Sequence, residues 1–423
     1  MHARAARRSA AVAILDELTE ARQTFRALRH RNFRVFVIGQ VISLIGTWAQ
    51  NLAQSWLIYR LTHSELLVGV TAFCAHIPVL LLGPLAGLAA DRHSRYKIVL
   101  LTQGLFLLQA VALAALTLSG RVQVVHVLGL AACWGVINAF EIPSRQSLYI
   151  HMVGHEDLLN AIALNSVIFN AGRVVGPSVA GFVVAGLGEG ACFLLNAASF
   201  VAVIGCLLAI RLPKTEREIP DSPWAHLRDG FVFVKRTPPL RALLGITAAV
   251  NVCGAPAMVL APFFADAIFH KGSQGLGILS SSMGVGAVAG TLVLARQTGR
   301  ARLASVVHRS ALTMGAGLAA FALSPSFAVS MAAAALVGFS VMRQNASANT
   351  LIQSLIGDEY RGRIMALYSM TVIGVLPLGS LAAGAMAERL GARLTVLVGG
   401  VLCLGASLVF RRYLPLIRGS VTE

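Results

Sequence analysis

The sequence predicts an all-α, polytopic membrane protein with twelve transmembrane helices in two six-helix halves. Three observations carry that expectation. Of 423 residues, 56% are hydrophobic and 13% charged, with a mean hydropathy of +0.73, whereas a soluble domain carries roughly a quarter charged residues. The apolar residues fall in runs of about 20, the length that crosses a bilayer as a helix. The second half also repeats part of the first at a fixed offset.

In chain order, the first six runs lie at roughly 34–58, 66–90, 96–118, 123–147, 158–186 and 190–211. The second six lie at roughly 242–268, 274–296, 303–324, 327–353, 363–387 and 393–412. Ahead of them, Ala10 to Leu15 is a short apolar patch broken by Asp16, Glu17 and Glu20. That is no secretory signal and fits a cytoplasmic amphipathic helix. Most links are short. The exception begins at Leu212 and runs to Arg241, polar and interrupted by Pro213, Pro220 and Pro223. The expected organisation is a cytoplasmic segment 1–32, a six-helix bundle 33–211, a linker 212–241, a second bundle 242–412 and a tail 413–423.

The repeat supports that division. An offset of 203 residues lays Gly135–Gly188 on Gly338–Gly391 without a gap. Identities include Ser144/Ser347, Leu148/Leu351, Gly154/Gly357, Glu156/Glu359, Gly176/Gly379, Gly181/Gly384 and Gly188/Gly391. Glycines recur by chance in apolar helices. An ungapped register through two spans and their loop is much harder to obtain that way.

Charge gives orientation. Of 35 Lys and Arg, 28 fall on one side of the spans, five on the other (Arg60, Arg121, Lys271, Arg389, Arg393), and Arg173 and Arg343 inside spans. The basic side is expected to be cytoplasmic, with both termini inside. A net charge of +17 distributed this way does not describe a nucleic-acid-binding face. All six cysteines sit in apolar runs without paired spacing, so neither a disulfide framework nor a metal cluster is indicated. His151 and His155 flank no zinc-type Glu pattern. No phosphate-binding loop or nucleophile elbow is present, so no cofactor and no enzymatic chemistry are expected, and uphill transport would draw on a gradient.

The turn between the second and third runs reads Gly87-x-x-x-Asp91-Arg92-x-x-Arg95-x-Lys97. Gly87 permits close helix approach, Asp91 suits the positive end of a helix, and the arginines can hold acidic partners. The pattern resembles the cytoplasmic loop signature of the major facilitator superfamily, and the resemblance extends from Arg31 to about Arg412. Arg31-Asn-Phe-Arg34-Val-Phe, Pro143-Ser-Arg-Gln-Ser and Asp358-Glu-Tyr-Arg-Gly-Arg363 are similar to the branch that holds the enterobactin exporter and macrolide or other drug efflux proteins. The resemblance implies two pseudo-symmetric bundles around a central cavity that opens alternately to each side. It further implies proton-coupled export of siderophores, drugs or other amphipathic molecules across the bacterial inner membrane. The expected partners are the lipid bilayer, a small-molecule substrate and protons, with the chain acting as a monomer. An importer or uncoupled facilitator and a non-transporting receptor or scaffold are the rival readings. A membrane-embedded enzyme would need catalytic residues clustered at one depth.

Several residues are singled out. By the resemblance, Asp91 docks on the start of span eleven near Arg361 and Arg363 and holds the cytoplasmic side shut, whereas the matching turn of the second half, Ala295 to Arg302, has no acid. Glu141 is an acid near the end of span four, a costly placement, with Arg145 one helical turn on. The resemblance pairs such an acid with Arg95, which would join Asp91, Arg95 and Glu141 in one relay; a structural ion pair is the alternative. Gly172, Gly176, Pro177 and Gly181 in span five resemble the superfamily's antiporter motif, in which glycines permit close packing and the proline kinks the helix. Polar residues that could line a pathway are Gln40, Asn51, Gln54, Glu141, Asn165, Asn170, Asn251, Gln344 and Asn345, with Arg173 and Arg343. Arg173 could bind an anionic group, sense a nearby protonation or form a fixed ion pair. Phe36, Trp48, Trp56, Phe73 and Trp134 could also line the path, although core or lipid-facing placement is the commoner fate. Many related drug–proton antiporters carry an arginine in span four where this chain has His126 to Trp134 without one.

Overall fold

The computed structural model describes residues 25–210, 231–295, 297 and 299–419. Eleven of its helices are long and apolar enough to cross a membrane. One of them, Val124–Leu187, crosses twice. Its 64 residues would extend about 96 Å at ~1.5 Å per residue, and the backbone breaks at Gly154, where φ is 73° and ψ is 178°. A side chain there would be strained, so glycine sets the turn between spans four and five. The twelve expected spans are present.

Spans one to three are Arg31–Thr62, Glu65–Arg92 and Arg95–Leu118. Four and five are the arms before and after Gly154, and six is Glu189–Leu208. Span seven is Pro238–Val259, continued by Ala261–Phe263 and a π-helical turn, Phe264–Ile268. Spans eight to ten are Gly272–Ala295, Arg300–Leu323 and Phe327–Leu355. Span eleven comes in two pieces, Asp358–Ile373 and Leu376–Leu390, and span twelve is Ala392–Arg411. Ser64, Ser94 and Ser326 cap the starts of spans two, three and ten by accepting backbone N–H bonds.

The edges differ from the sequence expectation in understandable ways. Span seven begins at Pro238 rather than 242, because a proline at the first helical turn sacrifices no hydrogen bond. The expected linker 212–241 thus contributes its last residues to helix, and 231–236 is helical too. Residues 211–230, most of the linker, lie outside the described residues, as do residues 1–24 of the segment 1–32. Its end is clamped instead of loose. Arg26 and His30 both reach Asp157 at 2.8 Å, and Ala27 N–H donates to Asn160 at 2.9 Å.

Each bundle has its own interior. In the first, Gln50 donates to Gln109 and accepts from Asn196, both at 2.9 Å, joining spans one, three and six away from water. The repeat is visible in the packing. A Cβ at Gly135 would lie 2.6 Å from the Ala75 carbonyl oxygen, and one at the matching Gly338 would fall on the Met283 carbonyl. Gly188 and Gly391, also matched, end their spans with nearly equal angles (φ 80°, ψ 172° and φ 81°, ψ 161°).

Candidate functional site

With an even number of crossings, residues 25 and 419 lie at the same end of the molecule, the basic one. At the opposite, outer end the bundles meet in two helix crossings. A Cβ at Gly69 of span two would lie 2.6 Å from the Ser380 carbonyl oxygen, and one at Gly384 of span eleven 2.7 Å from that of Glu65. In the second crossing, Gly181 of span five faces span eight with 2.9 Å to the Ser273 oxygen, and Gly277 has 2.6 Å to that of Pro177. Only glycine allows backbones so close. Gly181 and Gly384 are repeat partners, as are Pro177 and Ser380, so the two crossings are copies related by the pseudo-symmetry.

Hydrogen bonds reinforce both. Ser281 donates to the Val174 carbonyl at 2.8 Å, and Ser178 lies 2.7 Å from Ser281. The Glu388 carboxylate accepts from Ser64 Oγ at 3.0 Å and from Leu66 N–H at 3.1 Å, placing negative charge on the positive end of span two. Tyr59 OH donates to Asp266 at 2.7 Å, tying span one to the π-helical end of span seven. These hydrogen bonds between the bundles, with that of Ser273 Oγ to the Gly181 carbonyl at 3.3 Å, lie at this outer end. Toward the basic end, a Cβ at Gly83 or Gly87 would meet nothing within 4 Å.

Behind the outer seal, between the bundles, lies a cavity of about 320 Å³, within the range that holds drug-sized ligands. Five of the singled-out residues line it: Trp48, Asn51, Gln54, Arg173 and Pro177. The rest is mostly apolar, with Leu52, Val68, Met258, Leu276 and Met283. Arg173 is the one charged side chain of the lining, and its guanidinium carbon sits 5.9 Å from the Trp48 ring centroid. Trp48 itself lines the cavity. So does His76, which no motif marks in the sequence, since a lone histidine in an apolar run reads as core; its Nδ1 donates to the Ala72 carbonyl at 2.9 Å.

The other polar residues are elsewhere. Asn251 and Asn345 exchange amide bonds at 3.1 and 3.3 Å, Gln344 donates to Thr247 at 3.3 Å, and Arg343 lies 5.0 Å over Phe339. Gln40 is buried inside the first bundle, Asn170 donates to the Ser166 carbonyl at 2.8 Å, and Asn165 is half-buried on the same arm of span five. These groups do not line the cavity; Asn170, Asn251, Gln344 and Asn345 bond within their own bundle or helix, where a low-dielectric interior penalises an amide without a partner. Of the span-five glycines, Gly172 and Gly176 pack on span one, with a Cβ at Gly176 only 2.5 Å from that of Trp48, and Gly181 belongs to the seal. The helix runs through Pro177 without a break in its backbone angles.

At the basic end Glu141 accepts from Arg145 Nε at 2.6 Å, and Arg145 also donates to Tyr149 at 2.8 Å. Arg95 does not join Glu141. It reaches His151 at 3.0 Å and the Ala90 carbonyl at 3.4 Å, so Glu141 and Arg95 are not one relay here: the i,i+4 partner on the same helix is nearer and needs no second element. Asp91 ends span two, and its side chain is not among those described. Arg92 and Lys97 are exposed beside it, as is Arg361 on span eleven. Arg363 lies 5.8 Å over Tyr360, whose ring stacks on Phe233 at 4.3 Å. The Glu141–Arg145 pair is nearly dry, with side-chain exposures of 7% and 14%. Arg145→Ala, which strands the carboxylate, should lower stability by about 3–5 kcal/mol, and Glu141→Gln by clearly less. Thermal unfolding of the detergent-solubilised variants measures both.

Comparison with known proteins adds to this geometry. A family model described as a transmembrane secretion effector matches residues 22–420. The enterobactin exporter of Shigella flexneri is 26% identical over 397 residues, covering 91% of this chain and 93% of that protein. A multidrug efflux pump of Mycolicibacterium fortuitum is 24% identical over 376 residues, covering 86% and 90%. Among solved structures, a bacterial homologue of the human lysosomal transporter Spinster superposes with a TM-score of 0.71 over 93% of this chain and 98% of that one. At 15% identity that likeness establishes the fold alone.

Proposed function

The chain belongs to the transmembrane secretion effector family of the major facilitator superfamily, and from that premise we propose that it exports siderophores, drugs or other amphipathic small molecules by proton-coupled alternating access. It is a membrane transporter and not an enzyme. The observation that carries the export cycle is the cavity between two bundles, sealed at the outer end by glycine crossings and a few hydrogen bonds. Each such bond is worth about 1 kcal/mol, somewhat more where a carboxylate accepts, so the seal can separate without unfolding either bundle. The basic loops point to a cytoplasmic placement of both termini in a bacterial inner membrane. An outer seal of this kind fits loading of the cavity from the cytoplasm.

Release requires the reverse state, closed at the basic end. We assign that closure to Gly87, Asp91, Arg92, Arg95 and Lys97 meeting Arg361 and Arg363 at the start of span eleven, with Glu141 and Arg145 bracing span four beneath them. The printed functions of the relatives, one an enterobactin exporter and one a multidrug efflux pump, support the outward direction. Asp91→Asn is expected to leave a folded, inserted protein whose transport is slowed about tenfold or more; full activity would remove the gate. The direct test is uptake into inside-out vesicles with and without an imposed proton gradient. Gradient-driven accumulation of a fluorescent drug or a siderophore is the expected result. Simple equilibration would make the protein a facilitator.

A further inference from the structure

We propose that the cavity takes an anion with a planar apolar body, its negative charge held by Arg173 beside the Trp48 ring. The inference rests on the transport reading for its site and narrows the substrate class. Four observations carry it.

Arg173 is the one charged group of the lining, and no Asp or Glu lines the cavity with it. Among the described residues it makes no ion pair; its recorded partner is the Trp48 ring face at 5.9 Å. A cation–π contact contributes ~0.5–2 kcal/mol and leaves the charge un-neutralised, although arginines inside membrane spans ordinarily pair with an acid. The counter-charge is therefore expected to come with the ligand.

Trp48 fixes where that charge stands. Its Nε1 is buried away from the cavity surface, so the indole acts through its ring face, over which the guanidinium lies. The guanidinium thus offers its donors to the cavity, which suits an oxyanion and repels a cation. The guanidinium can also hold a carboxylate or phosphate through two bonds.

The pair is preorganised. Gly172 and Gly176 admit the Trp48 side chain against span five, with a Cβ at Gly172 lying 3.3 Å from the indole Cδ1, and Phe169 meets the ring edge-on at 5.7 Å. These glycines do more than pack helices: they set Trp48 beside Arg173. The remaining wall is apolar, and it fits a hydrophobic ring system next to the anionic group.

Two xanthene dyes of similar shape and opposite charge, fluorescein and rhodamine 123, test the proposal by fluorescence anisotropy on the full-length protein in lipid nanodiscs. Fluorescein is expected to bind, and rhodamine 123 about tenfold more weakly or worse. Arg173→Gln should weaken fluorescein by about tenfold and spare rhodamine 123. Because Arg173→Gln could disturb folding, Asn51→Asp is the second variant: Asn51 is exposed on the cavity wall, and a carboxylate there should weaken fluorescein and strengthen rhodamine 123. Rhodamine 123 binding as tightly as fluorescein to the unaltered protein overturns the proposal. So does fluorescein failing to bind at about 1 mM, or unchanged fluorescein affinity in Arg173→Gln. The readout is equilibrium binding, so it stands apart from the vesicle assay. Charge-selective binding without export would overturn the transport reading alone, and export with charge-blind binding would overturn this one alone.

Discussion

Gly338→Ala should prevent the second bundle from assembling. The new methyl would fall on the Met283 carbonyl oxygen of span eight, and Gly286 makes the reciprocal contact with the Ala335 carbonyl of span ten. No rotamer relieves a Cβ clash with backbone, so the helices must separate. Gly290 against the Phe339 carbonyl, at 2.5 Å for an added Cβ, would lose its packing in the same movement. Overpacking of a single core site costs ~1–3 kcal/mol, and here the loss spreads along a whole helix pair. The expected result is little or no monodisperse protein on size-exclusion chromatography. Gly405→Ala is the control: its Cβ would meet nothing within 4 Å, and alanine favours helix over glycine. Normal yield from Gly338→Ala would refute the packing account.

Gly277→Leu should stop the transport cycle in a protein that still folds. Its added atoms would press on the Pro177 carbonyl and the Gly181 backbone of the other bundle, leaving contacts inside either bundle untouched. A penalty of about 1–3 kcal/mol on the sealed state moves a two-state equilibrium by roughly 5- to 150-fold. Export should fall by at least about tenfold. In a background with the six native cysteines replaced, Ser280→Cys on the cavity wall should become reactive to an impermeant thiol reagent added from outside. Unchanged export with unchanged labelling would mean that the crossing is not a seal.

What was legible in the sequence follows from what hydrophobicity can encode. Twelve spans, the basic side and the repeat all come from one-dimensional patterns, and each is present in the fold. The facing of a polar residue is not one-dimensional. Asn51 is exposed on the cavity wall, Gln54 lines it while donating to the Val127 carbonyl of its own bundle, and Asn251, Gln344 and Asn345 bond inside the second bundle, although all five read alike as amides in apolar runs. Glu141 had two plausible arginines, and the structure selects Arg145, the one on its own helix. His76 and the triad of Gln50, Gln109 and Asn196 carry no spacing signature, because their partners lie on other helices or along their own backbone. The outer seal was half visible. The span-five glycines stood out, but their complement on span eight, Gly277, sits outside any repeat identity noted in the sequence.

The glycines divide into two sets with different consequences for how the protein is made. Gly135 and Gly338 serve helices of their own bundle, whereas Gly69 with Gly384 and Gly181 with Gly277 each draw one member from either bundle. The first bundle therefore emerges from the ribosome able to complete its interior, amide triad included, before the second has been synthesised. Docking the bundles is then a separate and final step in biogenesis, made across a glycine-lined surface that must form firmly enough to assemble the molecule and weakly enough to part on every turnover.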